Sequence, residues 1–350
     1  MKVPMDAPAI EMSGVWKIFG AQSEAALADA KAGASKADIL ARHRSVVGIA
    51  DASISVRPGE IFCIMGLSGS GKSTLLRHVN RLIEPSAGTI RVLGQDVRAL
   101  SPSALRALRA ERIGMVFQHM ALLPHRSVQD NVAYPLELRG TSKSVRWRVS
   151  QEKLQLVGLG GYEDRFPKEL SGGMQQRVGL ARALAADPAI LLMDEPFSAL
   201  DPLIRRQLQD QFMALSAKLG KTTLFITHDL DEAIRLGSRI AIMKDGRIVQ
   251  TGTPEQIVTQ PADDYVRDFV QNISKLGLIF ARTVMEPLAK VQALRSFDVA
   301  TAPKTSPDTS LDELIDIAAS AEQPVVIEAD GIMIGAITKE RLLIAIKEGK

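Results

Sequence analysis

The chain carries a single cysteine in 350 residues. That excludes intrachain disulfides and any metal site built from several thiolates, and it suits a reducing compartment. Cys63 itself falls in the apolar run Ile61–Met65 and reads as a small core hydrophobe. No apolar stretch approaches the roughly 18 residues that a bilayer span requires, so any membrane association is expected to come through a partner. The start, Met1–Asp6, lacks the apolar core of a secretion signal, and the chain reads as cytoplasmic. Nor does one sign of charge dominate: a net charge of +3 and a pI near 8.9 are too slight a bias to argue for nucleic acid.

What is present is ordinary for a globular protein, 46% hydrophobic and 24% charged. The length allows one large domain and a smaller one. The informative stretch is Gly66-Leu67-Ser68-Gly69-Ser70-Gly71-Lys72-Ser73-Thr74, which fits the phosphate-loop pattern G-x-x-x-x-G-K-[ST]. A buried-strand run precedes it, and positions 75, 76, 79, 82 and 83 behind it form one apolar helical stripe. Glycines let backbone N–H groups wrap a phosphate chain, and the helix N-terminus adds positive partial charge. Lys72 is placed to reach the β- and γ-phosphates and the Ser73 hydroxyl to ligate Mg²⁺.

Around this centre the texture is that of an α/β protein. Residues 11–19 read as a strand ending near Gly20, and 46–56 as another followed by a turn at 57–60. Between them, the Ala-rich segment 21–45 reads as one or two short surface helices, more a solvated excursion than part of a site. Strands are expected at 88–93, 113–117, 189–193 and 222–226, with a hairpin around Asp245-Gly246. Helices broken by prolines and glycines fill 119–175, a helical subdomain. Beyond a mixed stretch where Pro287 breaks a helical pattern, 301–307 reads as a loop. Ser310-Leu311-Asp312-Glu313 has capping-box spacing. Strands at 324–328 and 335–338 and a helix capped by Thr338 complete a helix–strand–strand–helix tail.

Four further motifs follow the phosphate loop in order. Leu170-Ser171-Gly172-Gly173-Met174-Gln175-Gln176-Arg177 opens a helix. The apolar strand 190–193 ends in Asp194-Glu195-Pro196. Ser198-Ala199-Leu200-Asp201 comes next, and Thr227-His228-Asp229 ends a later strand. Asp194, at the end of a buried strand, suits the outer coordination of Mg²⁺, and Glu195 suits a base that orients or deprotonates water.

Over roughly residues 11–250 this set resembles the ATP-binding subunits of ABC transporters. The resemblance implies a P-loop ABC ATPase domain at 1–265, a linker at 266–280 and a small α+β module at 281–350. It implies head-to-tail homodimers that hold two ATP molecules. Lys72, Glu195 and His228 would act in hydrolysis, and Gln118 would join Ser73 and Asp194 at Mg²⁺. Ser171, Gly172, Gly173 and Gln175 would face the ATP of the other subunit, and Asp201 would lie at the dimer interface. Phe19 would stack on adenine, with Trp16 as the alternative. Docking of integral-membrane permease subunits is implied near 119–170, at the cytoplasmic face of the cell membrane.

Segments such as Asn80-Arg81-Leu82-Ile83-Glu84-Pro85 and Leu122-Leu123-Pro124-His125, with the insertion at 21–45, are similar to importers of glycine betaine, proline betaine and choline. In those systems a separate extracytoplasmic protein binds the cargo. Aromatics make up only 4% of this chain, which gives no sign of the cage a quaternary ammonium requires. The tail around 310–346 resembles one repeat of a CBS module. Three rivals stand beside this reading: an ABC importer for an amino acid or polyamine, an ABC ATPase acting on nucleic acid or ribosomes, and a regulatory protein that binds ATP without hydrolysing it. Against the second, only about a hundred residues separate phosphate loop and signature, without heptads or clustered cysteines. Against the third stand intact Glu195 and His228.

Overall fold

The computed structural model describes residues 7–118, 121–198, 200–271, 276–294 and 297–348. The chain divides into two compact units, Met1–Thr251 and Gly252–Lys350. Among the described residues, ten strands build the sheets of the first: β1 (Ile10–Phe19), β2 (Val46–Val56), β3 (Ile61–Met65), β4 (Ala87–Val92), β5 (Gln95–Asp96), β6 (Ile113–Val116), β7 (Ile190–Asp194), β8 (Thr222–Thr227), β9 (Arg239–Lys244) and β10 (Arg247–Gly252).

Six of them form one sheet in the order β10-β9-β3-β8-β7-β6. The β9-β3-β8-β7-β6 pairs are all parallel. Every residue of β7 and β8 is buried, as expected where helices cover both faces of a parallel sheet. That explains why these strands read in sequence as continuous apolar runs rather than alternating ones. Because the strands run the same way, the residues that follow β3, β6, β7 and β8 all emerge along one edge. This is where open α/β sheets place their ligands.

The second sheet, β2-β1-β4-β5, is antiparallel. It shares one core with the first: Ile10, Val15, Ile49, Ile54 and Ile90 pack with Phe62, Ile64, Leu75, Leu192 and Ile226. The β1–β2 ladder runs from Ile10↔Val56 to Phe19↔Val46, so 20–45 is the connection of a long hairpin. Three helices, Val128–Leu138, Lys143–Leu156 and Gly172–Ala185, pack on one another through Val132, Leu154, Val178 and Ala181.

The segment 21–45 forms two helices, Ser23–Lys31 and Lys36–His43, but it is not a solvated excursion. Ala26, Ala30 and Ile39 are buried against Trp16, Ile18, Val47 and Ala50 of the antiparallel sheet. The alanines that made the segment look featureless are what let a helix lie close to the strands.

The second unit holds a three-stranded sheet of β11 (Lys304–Thr305), β12 (Val325–Ala329) and β13 (Ile332–Ile337). β11 lies within the stretch read as a loop; it pairs in parallel with β12, which two residues cannot signal by periodicity. The Ser310–Glu313 capping box forms, and Thr338 Oγ1 accepts from Arg341 N at 3.1 Å to start the last helix. Leu311, Leu314, Val325, Ile327, Ile337 and Leu342 make a separate core. The helices Pro254–Thr259 and Asp264–Val270 also belong to this unit, which therefore begins ahead of the boundary at 265 read from sequence.

Candidate active site

β3 delivers the chain into the loop at Gly66. A Cβ there would lie 2.2 Å from the carbonyl oxygen of Met243, so only glycine lets the loop leave the sheet past the end of β9. The helix Lys72–Val79 follows at once. Leu67–Gly69 and Gly71–Thr74 line a cavity of about 830 Å³, with Gly66 and Ser70 buried behind that wall. Lys72 Nζ donates to the carbonyls of Gly66 at 2.8 Å and Leu67 at 3.0 Å and stands 4.0 Å from Glu195 Oε1. Burial pushes the Lys72 ammonium below its ordinary pKa, while the carboxylates of Glu195 and Asp194 oppose that shift.

β7 ends in the two carboxylates, and they differ. Asp194 is buried and does not itself line the cavity; its Oδ1 accepts from Ser73 Oγ at 2.9 Å and its Oδ2 from Arg77 Nη2 at 3.0 Å. Glu195 has φ +45°, the left-handed region that ordinary residues avoid. Its amide donates to Ile226 O at 3.1 Å, and the reversal after it brings the side chain back over the cavity. There Oε2 accepts from His228 Nδ1 at 2.9 Å and lies 3.5 Å from Gln118 Nε2. Four residues far apart in sequence, Lys72, Gln118, Glu195 and His228, thus meet around one space beside the phosphate loop.

Among the described residues no group of three or more His, Cys, Asp or Glu could hold a metal ion. The oxygen donors Ser73, Asp194 and Gln118 fit instead a hard cation that takes most of its ligands from phosphates and water. Arg77, which the sequence reading did not single out, is one helical turn beyond Ser73; that i,i+4 spacing was the available signal.

His228 is held by a network one residue back. Thr227 Oγ1 donates to Glu232 Oε2 and accepts from Asp229 N at 3.0 Å, while Gln209 Nε2 donates to Glu232 Oε1 at 2.8 Å. Burial pushes the Glu232 carboxyl above its ordinary value, with the Thr227 and Gln209 hydrogen bonds opposing. A carboxyl raised on folding stabilises fully below its unfolded pKa and loses that contribution as pH rises through the folded value. Glu232→Gln removes the titration. The melting temperature of the variant, relative to the native protein, is therefore expected to rise as pH climbs above the ordinary glutamate range; a difference flat with pH would sink this assignment.

Of the two aromatics considered for a base, Phe19 is 41% exposed and lines the cavity, whereas Trp16 is 7% exposed and packs in the core under the insertion. A Cβ on Gly48 would meet Phe19 Cε2 at 2.6 Å, so glycine at that point of β2 makes room for the ring. Lys36, Ala37 and Leu40 of the insertion line the same cavity. Composition alone makes 21–45 read as an excursion; its place as the connection of the β1–β2 hairpin is what puts these residues at the rim.

The remaining motif residues gather elsewhere. Ser171, Gly172, Gly173 and Asp201 line a second cavity of about 510 Å³. Ser171 caps the helix Gly172–Ala185, its Oγ accepting from Met174 N at 3.3 Å. Asp201 Oδ1 accepts from Ile204 N at 3.1 Å and caps the helix Pro202–Leu219. Gln175 does not line this cavity: its Nε2 donates to the carbonyls of Pro167 at 3.0 Å and Leu170 at 3.2 Å, bracing the turn ahead of the helix. Ala199 lies outside the described residues.

Comparison with known proteins places these features in context. Residues 49–198 match the family model described as ABC transporter. Over 277 residues the chain is 52% identical to the glycine betaine transport ATP-binding protein OpuAA of Bacillus subtilis, covering 79% of this chain and 66% of the relative, just under two thirds of its length. It is 53% identical over 277 residues to the trimethylamine N-oxide transport system ATP-binding protein TmoW of Ruegeria pomeroyi, covering 79% and 81%. Over 343 residues it is 44% identical to the glycine betaine/proline betaine transport system ATP-binding protein ProV of Salmonella typhimurium, covering 97% and 83%. Among solved structures, a dimeric ATP-binding cassette in a post-hydrolysis state with ADP and phosphate superposes with a TM-score of 0.60 at 30% identity, covering 70% of this chain and 98% of the other.

Proposed function

We propose, since this chain belongs to the ABC transporter family of ATP-binding subunits, that it hydrolyses ATP to energise import of a small quaternary amine such as glycine betaine, proline betaine or choline. The observation that carries the proposal is the convergence of Lys72, Gln118, Glu195 and His228 on one cavity beside the phosphate loop. In this reading the loop amides and Lys72 hold the β- and γ-phosphates. Phe19 supports the base. Glu195 accepts the proton of the attacking water, and its contact with His228 positions both groups at the γ-phosphate. Ser73, Asp194 and Gln118 would hold Mg²⁺, which when bound neutralises charge on the phosphate oxygens.

Two copies would pair head to tail, so that Ser171, Gly172 and Gly173 of one, from a helix N-terminus, meet the ATP of the other. Gln175 would serve there by bracing the signature turn, and Asp201 would lie at the interface. No helix among the described residues is long and apolar enough to cross a membrane, so transport requires permease subunits. A groove of about 620 Å³ between the sheet and the helical subdomain, lined by Arg106, Phe117, Tyr134 and Leu138, supports docking of those subunits within 119–170. The module at 281–350 would act as a CBS-like repeat that pairs with its copy in the second subunit; exposed Ile332 and Leu343 are consistent with such pairing.

The test is uptake of labelled glycine betaine by cells with and without this subunit, with choline, proline betaine and trimethylamine N-oxide as unlabelled competitors. Uptake is expected to fall to background on deletion and to return with the native chain but not with Glu195→Gln. Unchanged uptake in cells with no second importer would overturn the cargo assignment.

A further inference from the structure

The insertion helix Lys36–His43 does more than cover the antiparallel sheet. Four large apolar side chains around the cavity are exposed: Phe19, Val46, Leu67 of the phosphate loop and, from the insertion, Leu40 at 54%. Phe19 and Val46 are cross-strand partners at the end of the β1–β2 ladder, so they form one patch. Leu40 adds a wall from a different element. We infer that Leu40, with Ala37 beside the rim residue Lys36, makes a second surface for the nucleobase, so that this insertion, and not Phe19 alone, sets how tightly the site holds the base of a nucleoside triphosphate. The inference rests on the proposed nucleotide site and names a further binding residue within it.

The wall is fixed before any ligand arrives. Ile39, next to Leu40, is fully buried against Trp16, Ile18 and Val47. The Ser35–Asp38 capping box starts the helix, and Arg44 at φ +50° ends it. His43 Nε2 donates to Asp29 Oδ2 at 2.9 Å, tying the helix to its neighbour Ser23–Lys31. Lys36 Nζ lies 3.8 Å from Asp245 Oδ1 in the turn after β9, an exposed pair that spans the rim. A preorganised wall loses little entropy when a base lies against it. The volume of about 830 Å³ is in the range that takes a whole nucleotide rather than a triphosphate alone. A half-exposed leucine in a helix otherwise held by buried neighbours gives the helix little stability.

The probe pair is ATP against inorganic tripolyphosphate, which shares the phosphate chain and lacks the base, each titrated with Mg²⁺ into the full chain by calorimetry. Leu40→Ser is expected to weaken ATP about tenfold, the scale of losing one leucine contact, and to leave tripolyphosphate within about twofold. Because Leu40 is exposed, the variant keeps the fold, and retained tripolyphosphate binding checks that directly. ATP affinity unchanged in Leu40→Ser, with the native chain binding ATP, would overturn the second wall alone. Equal losses for both probes would overturn it as well, by showing a general effect on the loop. A native chain that binds neither probe would overturn the nucleotide site itself.

Discussion

Replacing Glu195 with glutamine is expected to lower ATP turnover by about 10²–10⁴-fold while leaving ATP affinity within about threefold. The substitution keeps the length of the side chain, and its amide oxygen still accepts from His228, so the arrangement around the cavity survives. What the proposed role of Glu195 predicts to be lost is the capacity to take a proton from the attacking water. In the proposed reading affinity is carried by other groups, the loop amides and Lys72, which stands 4.0 Å from Glu195. The measurement is steady-state phosphate release beside equilibrium ATP binding on the same preparation. Gel filtration with ATP is expected to show the variant accumulating as a dimer, because in the proposed head-to-tail pairing ATP would close the pair and the missing hydrolysis would not reopen it. Turnover within threefold of native would remove Glu195 from the role of base and leave water positioning to Gln118 or His228.

Lys72→Ala is expected to weaken ATP binding by about 10²–10³-fold, the scale of losing one charged donor to the phosphates. The same substitution should not unfold the protein. The ammonium is buried, and burial disfavours its charged form, which pushes its pKa down. Removing it relieves a desolvation cost while giving up two hydrogen bonds, to Gly66 and Leu67. The melting temperature is therefore expected to stay within about 4 °C of native, less than a typical buried-core substitution produces in a domain this size. A large fall in melting temperature alongside the loss of binding would show that Lys72 holds the loop together rather than the ligand. Native affinity in Lys72→Ala would contradict the phosphate-loop assignment outright.

The two substitutions separate what the site does. One removes chemistry and spares binding; the other removes binding and spares the fold. Leu40→Ser divides binding further, between base and phosphate chain. None of the three alters a residue of the central hydrophobic core, so their effects should add except where Lys72 and Glu195 approach each other.

Much of this protein is determined by sequence alone, for identifiable physical reasons. Parallel strands covered on both faces must be apolar throughout, so β3, β7 and β8 are legible as short uninterrupted runs. A loop that wraps phosphate requires glycines at fixed spacing, and a helix that begins at Ser171 requires a cap, so these motifs can be read locally. Only the tertiary structure decides which residues meet. The left-handed backbone at Glu195 is not written in its side chain, yet it turns the carboxylate toward His228. Asp201, followed by Pro202, is a local cap of the same kind as Ser171, whereas the bracing by Gln175 depends on the path the chain takes through Pro167 and Leu170. The insertion at 21–45 is the clearest case: its alanine-rich composition suits a solvated helix or a close-packed one equally well. The β1–β2 pairing, which brings Phe19 opposite Val46, carries it to the mouth of the cavity, because hairpin register is a long-range property that local composition does not contain.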